Sequence, residues 1–150
     1  MHPATFPSVK ASEVKYLVDA GPLVGAFWPA DQWHHWSRAT LSRLRSPAFT
    51  TESVFAEAAH LLKPSLPALL QLLAALDRGL IQFIPIYPEK IGRMAELVTT
   101  YAPRADPGDA SLVILSELYP RAKLITIDRT DFLIYRRADG RPVPSLMPSV

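Results

Sequence analysis

The chain has 150 residues, of which 49% are apolar, and its formal net charge at pH 7 is only +2. A chain of this length and apolar content predicts one domain with its own hydrophobic core. The absence of cysteine excludes disulfides, thiolate zinc sites and a cysteine nucleophile, so any metal must be held by oxygen or imidazole ligands.

The N-terminal segment is expected to lie outside the folded domain. Residues 1–12 contain Pro3 and Pro7 and lack the apolar core of a signal peptide. We therefore expect a flexible extension over residues 1–12, followed by a single domain over residues 13–150. No later apolar run reaches membrane-spanning length, which predicts a soluble, cytoplasmic protein without membrane contact.

Apolar runs and helical periodicities alternate along the chain. The predicted strands cover residues 14–18, 48–50, 80–86 and 124–127. The predicted helices cover residues 22–28, 32–45, 51–62, 65–79, 88–102 and 107–119. This alternation predicts an α/β fold with a central, mainly parallel sheet. Near the end, Asp139-Gly140 predicts a hairpin turn between residues 132–137 and 141–146, although Pro142 and Pro144 weaken it.

Two of the predicted strands end in a carboxylate. Asp19 follows the strand over residues 14–18, and Asp128 follows the strand over residues 124–127. In parallel α/β sheets, ligands bind outside the carboxyl ends of the strands. The alternative is that Asp19 caps the following helix and that Asp128 closes its strand in an Asx turn.

Two further acids mark the start of the helix over residues 107–119. Asp106 precedes Pro107 and is a natural N-cap, whereas Asp109 lies in the first turn, where the helix dipole favours an anion. Because they are three residues apart, both can face one point in space. We predict that Asp109 is a ligand and that Asp106 is a cap or an auxiliary residue.

Glu57 lies between Val54 and Leu61 on the apolar side of the helix over residues 51–62. A buried carboxylate without a partner is costly. Glu57 therefore either belongs to a site, or lies on a helix that is rotated so that the carboxylate reaches solvent or pairs with an arginine.

Carboxylates that crowd together favour a bound cation. Two like charges about 4 Å apart repel by about 4 kcal/mol at an effective dielectric of about 20, so such acids must protonate, separate or bind a cation. Oxygen ligands suit hard cations such as Mg²⁺ or Mn²⁺. Near Asp128, Asp131 is an additional candidate, and Thr126 is expected to hydrogen-bond a carboxylate or a metal-bound water.

Four segments together resemble the PIN-domain ribonucleases, and more narrowly the toxin half of VapBC-type toxin–antitoxin pairs. They are LVDAGPLV at 17–24, TTESVFAE at 50–57, DA at 109–110 and TIDRTDF at 126–132. Each segment is short, but their order and spacing together are fairly specific. One departure is Ala20, where many family members carry Thr, Ser or Asn.

The resemblance implies a fold, a chemistry and partners. The fold is a PIN-like three-layer α/β/α sandwich. The chemistry is endonucleolytic cleavage of RNA with Mg²⁺ or Mn²⁺ as the cofactor, held by Asp19, Glu57, Asp109 and Asp128 as the catalytic acids. The partners are the RNA substrate, a cognate antitoxin protein and a second copy of the chain in a homodimer.

Basic side chains are in excess over residues 121–150. Such an excess can supply phosphate contacts, and the candidates for RNA binding are Arg129, Arg136 and Arg137. The alternative is a solvated charged face without a nucleic-acid partner.

Two other functions stay open at this point. One is a ribonuclease in which imidazoles act as general acid and base; against it, the adjacent His34 and His35 point about 100° apart on a helix. His60, three residues after Glu57, is expected on a helix surface. The other function is a non-catalytic PIN-fold module that binds RNA or a protein.

Overall fold

Five short parallel strands form the central sheet of the computed structural model, which describes residues 9–149. The strands are β1 (Tyr16–Val18), β2 (Ala48–Thr50), β3 (Ile81–Phe83), β4 (Lys123–Ile125) and β5 (Ser145–Leu146). Their order across the sheet is β3-β2-β1-β4-β5, and every neighbouring pair is parallel. The predicted α/β class with a parallel sheet is confirmed.

Seven α-helices accompany the sheet within the described residues. They are α1 (Ala20–Phe27), α2 (His34–Ser42), α3 (Glu52–Leu62), α4 (Leu66–Asp77), α5 (Ile91–Thr100), α6 (Pro107–Leu118) and α7 (Arg129–Phe132). Side chains cap several of them: Thr51 accepts from the N–H of Val54, Ser65 accepts from Ala68, and Asp106 accepts from Asp109, as the sequence predicts for Asp106.

The helices pack against one another and against the sheet. Helix α1 contacts α2, α3 and α4, whereas α6 contacts α5, α3, β1 and β4. This arrangement is consistent with a three-layer α/β/α sandwich. The sheet and α6 supply much of the core, where Leu17, Leu112, Leu115, Leu124 and Ile125 are fully buried. Each such side chain contributes about 1.5–3 kcal/mol by leaving water.

The predicted hairpin near the C-terminus is wrong. Residues 129–132 form α7, and β5 pairs in parallel with β4 instead of returning antiparallel to residues 132–137. Of the expected hairpin, residues 9–149 retain the turn at Gly140, whose φ is +83°, and one antiparallel bridge between Arg136 and Pro142. Proline lacks the N–H that a continued ladder needs.

Several predicted boundaries also shift. The strand expected over residues 80–86 is reduced to β3, and the helix expected from Pro88 begins at Ile91. The helix expected over residues 32–45 is α2, which begins at His34 and ends at Ser42. Such shifts arise because helix and strand ends depend on contacts with neighbouring elements.

The predicted N-terminal extension falls mostly outside the described residues, which begin at Val9. Residues Ala11–Glu13 form a short 3-10 helix that leads into β1. Among the described residues, no helix has both the length and the apolar character needed to cross a membrane.

Helices α1 and α2 approach each other closely at Gly25. The carbonyl of Gly25 lies 2.8 Å from Nδ1 of His34, and the neighbouring Ser37 is fully buried. A Cβ atom at Gly25 would lie 2.5 Å from Oγ and 3.0 Å from Cβ of Ser37. The absence of a side chain at this position therefore permits the helix contact.

Replacing Gly25 with alanine is expected to destabilise the protein. The new methyl group would overlap with the buried Ser37, so Gly25→Ala should lower the free energy of unfolding by about 1–3 kcal/mol. Chemical denaturation followed by circular dichroism measures this change.

The matched control is Gly92→Ala in the first turn of α5. No described heavy atom lies within 4 Å of a Cβ built at Gly92, so alanine should raise the free energy of unfolding by about 0.5–1 kcal/mol through helix propensity. Equal effects of the two substitutions would contradict the close helix contact at Gly25.

Candidate functional site

An open cavity of about 350 Å³ lies at the carboxyl edge of the sheet. Four acidic side chains line it: Asp19, Glu57, Asp109 and Asp128. They arrive from four different elements, which are the ends of β1 and β4, the middle of α3 and the first turn of α6. The four acids that the sequence singles out thus line one cavity, but among the described residues the acids whose oxygens lie within 4.8 Å of one another are Asp109, Asp128 and Asp131, without Asp19 and Glu57.

Asp19 is buried at the N-cap of α1. Its Oδ1 accepts a hydrogen bond of 2.8 Å from the N–H of Ala20, and its Oδ2 accepts one of 2.8 Å from the hydroxyl of Thr126. The same Thr126 oxygen accepts from the N–H of Asp128 at 3.0 Å. The prediction that Thr126 hydrogen-bonds a carboxylate is confirmed.

Asp109 is held by a residue that the sequence analysis missed. The hydroxyl of Tyr135 donates a 2.6 Å hydrogen bond to Oδ2 of Asp109. The Tyr135 ring is fully buried and packs edge-to-face against Tyr101 and Phe132. Tyr135 lies within residues 132–137, for which the sequence predicts a hairpin strand. Its position in the sequence therefore gives no sign of this contact.

Asp106 has the capping role that the sequence predicts. Its Oδ1 accepts a 2.8 Å hydrogen bond from the N–H of Asp109 at the start of α6. The carboxylate of Asp106 is therefore engaged by the backbone, and it contributes negative charge near the cavity without being one of the residues that line it.

Asp131 does not line the cavity, but its carboxylate lies close to two of the acids that do. One carboxylate oxygen from each of Asp109, Asp128 and Asp131 lies within 4.8 Å of the other two. Asp128 caps α7, and its Oδ1 accepts from the N–H of Asp131 at 2.9 Å. The side chain of Asp131 also forms a 2.6 Å ion pair with Arg104, a second residue that the sequence analysis missed.

Glu57 lies at the exposed rim of the cavity. The buried residues of α3 are Val54, Ala58 and Leu62, so the helix is rotated such that Glu57 faces solvent. The prediction that Glu57 lies on the apolar side of its helix is therefore wrong. The alternative, a helix rotated so that the carboxylate reaches solvent, is correct. Glu57 nevertheless lines the same cavity as Asp19, Asp109 and Asp128.

Burial raises the pKa of Asp19 to about 6. Hydrogen bonds from Thr126 and Ala20 lower this pKa by stabilising the carboxylate. The negative charges of Glu57 and Asp128 raise it. The balance favours a proton on Asp19 at mildly acid pH when no cation is near.

Burial likewise raises the pKa of Asp109 to about 7. The hydrogen bond from Tyr135 lowers this pKa. The carboxylates of Asp106, Asp19 and Asp128 raise it. The pKa values of Glu57 and Asp128 are also raised, with burial as the largest cause. A positive charge in the cavity would relieve these costs.

The three arginines predicted to bind RNA differ in their surroundings. Arg129 and Arg136 are exposed, and their guanidinium groups contact backbone carbonyls of the C-terminal segment. Arg137 is buried, and it donates to the carbonyls of Ser116 and Pro120. The predicted RNA-binding role of Arg137 therefore conflicts with its burial, which gives it a structural role.

The histidines do not form an alternative catalytic centre in this cavity. Of the described residues that line it, none is a histidine. The ring of His34 contacts the carbonyl of Gly25, and His35 and His60 are exposed on α2 and α3. The carboxylates are therefore the titratable groups that chemistry in this cavity would use.

Comparisons with known proteins leave the family prediction untested. No family model matches the chain, and a search of curated proteins finds no match. Membership of the PIN-domain ribonucleases thus stays a prediction from the four sequence segments. The interpretation of the cavity as a metal site depends on the geometry of the carboxylates.

Replacing Asp109 with asparagine is expected to stabilise the metal-free protein at high pH. A carboxyl group whose pKa is raised on folding makes the free energy of unfolding fall as the pH rises from about 4 to about 7. Asp109→Asn removes this penalty, and asparagine still offers an oxygen to Tyr135. In chelator at pH 8, the variant should gain about 1–2 kcal/mol after allowance for solvent screening.

The same denaturation experiment at several pH values supplies the control. The gain should disappear below about pH 4, where both folded and unfolded wild-type chains carry a protonated Asp109. Glu89→Gln, which removes an exposed acid outside the cavity, should change stability little at any pH. A constant gain for Asp109→Asn across the whole range would contradict the raised pKa.

Proposed function

We propose that the protein is a metal-dependent endoribonuclease. The observation that carries this proposal is the convergence of carboxylate oxygens from Asp109, Asp128 and Asp131 within 4.8 Å of one another. Asp19 and Glu57 surround the same open cavity as Asp109 and Asp128. This concentration of anionic oxygen at the carboxyl edge of a parallel sheet is a natural site for a divalent cation.

The donor set fits Mg²⁺ or Mn²⁺. All the side chains that converge are carboxylates, and the raised pKa values of Asp19 and Asp109 indicate an environment that disfavours their unneutralised charge. Asp109 and Asp128 belong both to the compact trio and to the cavity lining, so they would be the principal ligands. A bound Mg²⁺ or Mn²⁺ would supply an acidified water and positive charge at the phosphate.

The remaining residues have distinct roles in the proposed hydrolysis. Asp19 is fixed by Thr126 and would complete the ligand set. Tyr135 holds the carboxylate of Asp109 in one orientation through its 2.6 Å hydrogen bond. Glu57 is exposed at the rim with a raised pKa, so it would accept the proton of the attacking water.

The shape and surroundings of the cavity suit a polynucleotide chain. The cavity is open to solvent, and the exposed Arg129 and Arg136 lie on the C-terminal segment that follows Asp128. Arg104 lies beside the trio through its ion pair with Asp131. These exposed guanidinium groups would contact phosphates of the bound strand.

The biological part of the proposal depends on the resemblance to VapBC toxins. The choice of RNA as substrate also depends on that resemblance. On the same basis, the protein would act in the cytoplasm as the toxin of a toxin–antitoxin pair. It would form a homodimer, and a cognate antitoxin would inhibit it.

Cleavage of RNA by the purified protein is expected to require the carboxylates and a metal. Total tRNA and rRNA incubated with Mn²⁺ or Mg²⁺ should give discrete fragments with 5′-phosphate and 3′-hydroxyl ends. The fragments should vanish in chelator. Asp109→Asn and Asp128→Asn should each reduce the rate at least about a hundredfold, because each removes a proposed ligand.

Glu89→Gln is the matched control and should cleave like the wild type. Metal binding without cleavage of any RNA would favour a non-catalytic module that binds RNA or a protein. Fragments that end in a 2′,3′-cyclic phosphate and form in chelator would contradict the carboxylate mechanism.

Loss of the Thr126 hydroxyl is expected to weaken metal binding. Thr126→Val keeps the shape of the side chain but removes the hydrogen bonds to Asp19 and Asp128. The affinity for Mn²⁺, measured by titration calorimetry, should fall about 10- to 100-fold. Thr126→Ser retains the hydroxyl and should bind Mn²⁺ nearly as the wild type does, whereas equal affinities for all three proteins would refute this positioning role.

A further inference from the structure

A second cavity, of about 270 Å³, lies between the first turn of α3 and the segment that follows β3. Its lining includes the aromatic rings of Phe83 and Tyr87 and the polar side chains of Glu52 and Ser53. The Tyr87 ring is 43% exposed. Phe83 is partly exposed, and its ring packs edge-to-face against Phe55, with ring centroids 5.4 Å apart.

This second cavity is adjacent to the carboxylate cavity along α3. Ser53 lines the second cavity and Glu57 lines the carboxylate cavity. The two residues are four apart, so they lie on the same face of α3, about 6 Å apart along the helix axis. Across the sheet, β3 is two strands from β1, a distance of about 10 Å. Both cavities lie at the carboxyl edge of the sheet.

Hydrogen bonds fix the wall of the second cavity relative to the carboxylates. The hydroxyl of Thr51, which also lines this cavity, is 2.7 Å from the hydroxyl of Ser111. Ser111 in turn donates a 2.6 Å hydrogen bond to the carbonyl of Gly108. Gly108 and Ser111 lie on either side of Asp109 in the first turn of α6, so these hydrogen bonds join the start of α3 to the helical turn that carries Asp109.

The chemistry of the second cavity fits an aromatic base. Nucleobases stack on exposed aromatic side chains whatever their identity, and the carboxylate of Glu52 and the hydroxyl of Ser53 can hydrogen-bond the edge of a base. Of the described residues that line the cavity, none is basic and one is acidic. An uncharged base is therefore favoured over a phosphate.

We propose that this cavity is a nucleobase subsite, which binds the base of a nucleotide next to the cleaved bond. The proposal rests on the nuclease function proposed for the carboxylates. An RNA strand whose phosphate lies in the carboxylate cavity would bring a flanking base to Tyr87. The carboxylates cut the backbone, and the aromatic cavity holds a base beside the cut.

The test measures binding without cleavage. Fluorescently labelled single-stranded RNA octamers of adenosine or of cytidine, and an octamer of the same backbone without bases, are titrated into the protein with Ca²⁺ in place of Mg²⁺. For Tyr87→Leu, the affinity for the base-bearing octamers should fall about five- to tenfold. The affinity for the octamer without bases should be unchanged, and Tyr87→Phe should bind like the wild type.

Leu118→Ala is the matched control. Leu118 is exposed at the C-terminal end of α6, and this variant should bind all octamers like the wild type. Thermal unfolding should show that Tyr87→Leu is folded, because Tyr87 is partly exposed and leucine retains much of its apolar bulk. An unchanged affinity of Tyr87→Leu for base-bearing octamers, or an equal loss for the octamer without bases, would overturn the subsite.

Cleavage kinetics separate this inference from the proposed function. With Mn²⁺, Tyr87→Leu should raise KM and leave kcat within about twofold, because the residue acts on a flanking base and not on the reacting atoms. Cleavage by Tyr87→Leu with an unchanged KM would contradict the nucleobase subsite and support the nuclease function. If Tyr87→Leu loses base-dependent binding but the wild type cleaves no RNA, the subsite is supported and the nuclease function is contradicted.

Discussion

The hydroxyl of Thr126 connects the two strand ends on which the candidate site depends. It donates to the carboxylate of Asp19 after β1 and accepts from the N–H of Asp128 after β4. Because β1 and β4 are neighbours in the sheet, one buried hydroxyl fixes the relative positions of two carboxylates that are far apart in sequence. Without this hydrogen bond, the buried Asp19 would lose a contact that stabilises its charge.

The fold places several carboxylates near Thr126, and its hydrogen-bond donors compensate their negative charge only in part. The N–H of Ala20, the hydroxyls of Thr126 and Tyr135 and the guanidinium of Arg104 each contact one carboxylate. The pKa values of Asp19 and Asp109 nevertheless stay raised, to about 6 and about 7. A cavity in this electrostatic state is suited to a cation, and the energetic cost of forming it falls on the stability of the metal-free protein.

The carboxyl edge of the sheet carries two kinds of surface side by side. The ends of β1 and β4 present carboxylates, whereas the end of β3 leads into the aromatic cavity at Phe83 and Tyr87. Helix α3 contributes to both, through Ser53 and Glu57 on one face. Under the proposed function, a polynucleotide would place its backbone at the carboxylate cavity and a base at the aromatic cavity.

The sequence by itself determined the α/β class, strand β2, the cap at Asp106, and the four acids that line the cavity. These features follow from local patterns: alternation of apolar runs, capping side chains and carboxylates at the ends of apolar segments. Only the tertiary structure decided that Glu57 faces solvent, that Tyr135 and Arg104 contact the acids, and that Arg137 is buried. It also replaced the expected hairpin with α7 and a parallel β5. These outcomes depend on contacts between residues distant in sequence, such as the 26 positions between Asp109 and Tyr135, and no local pattern records such contacts.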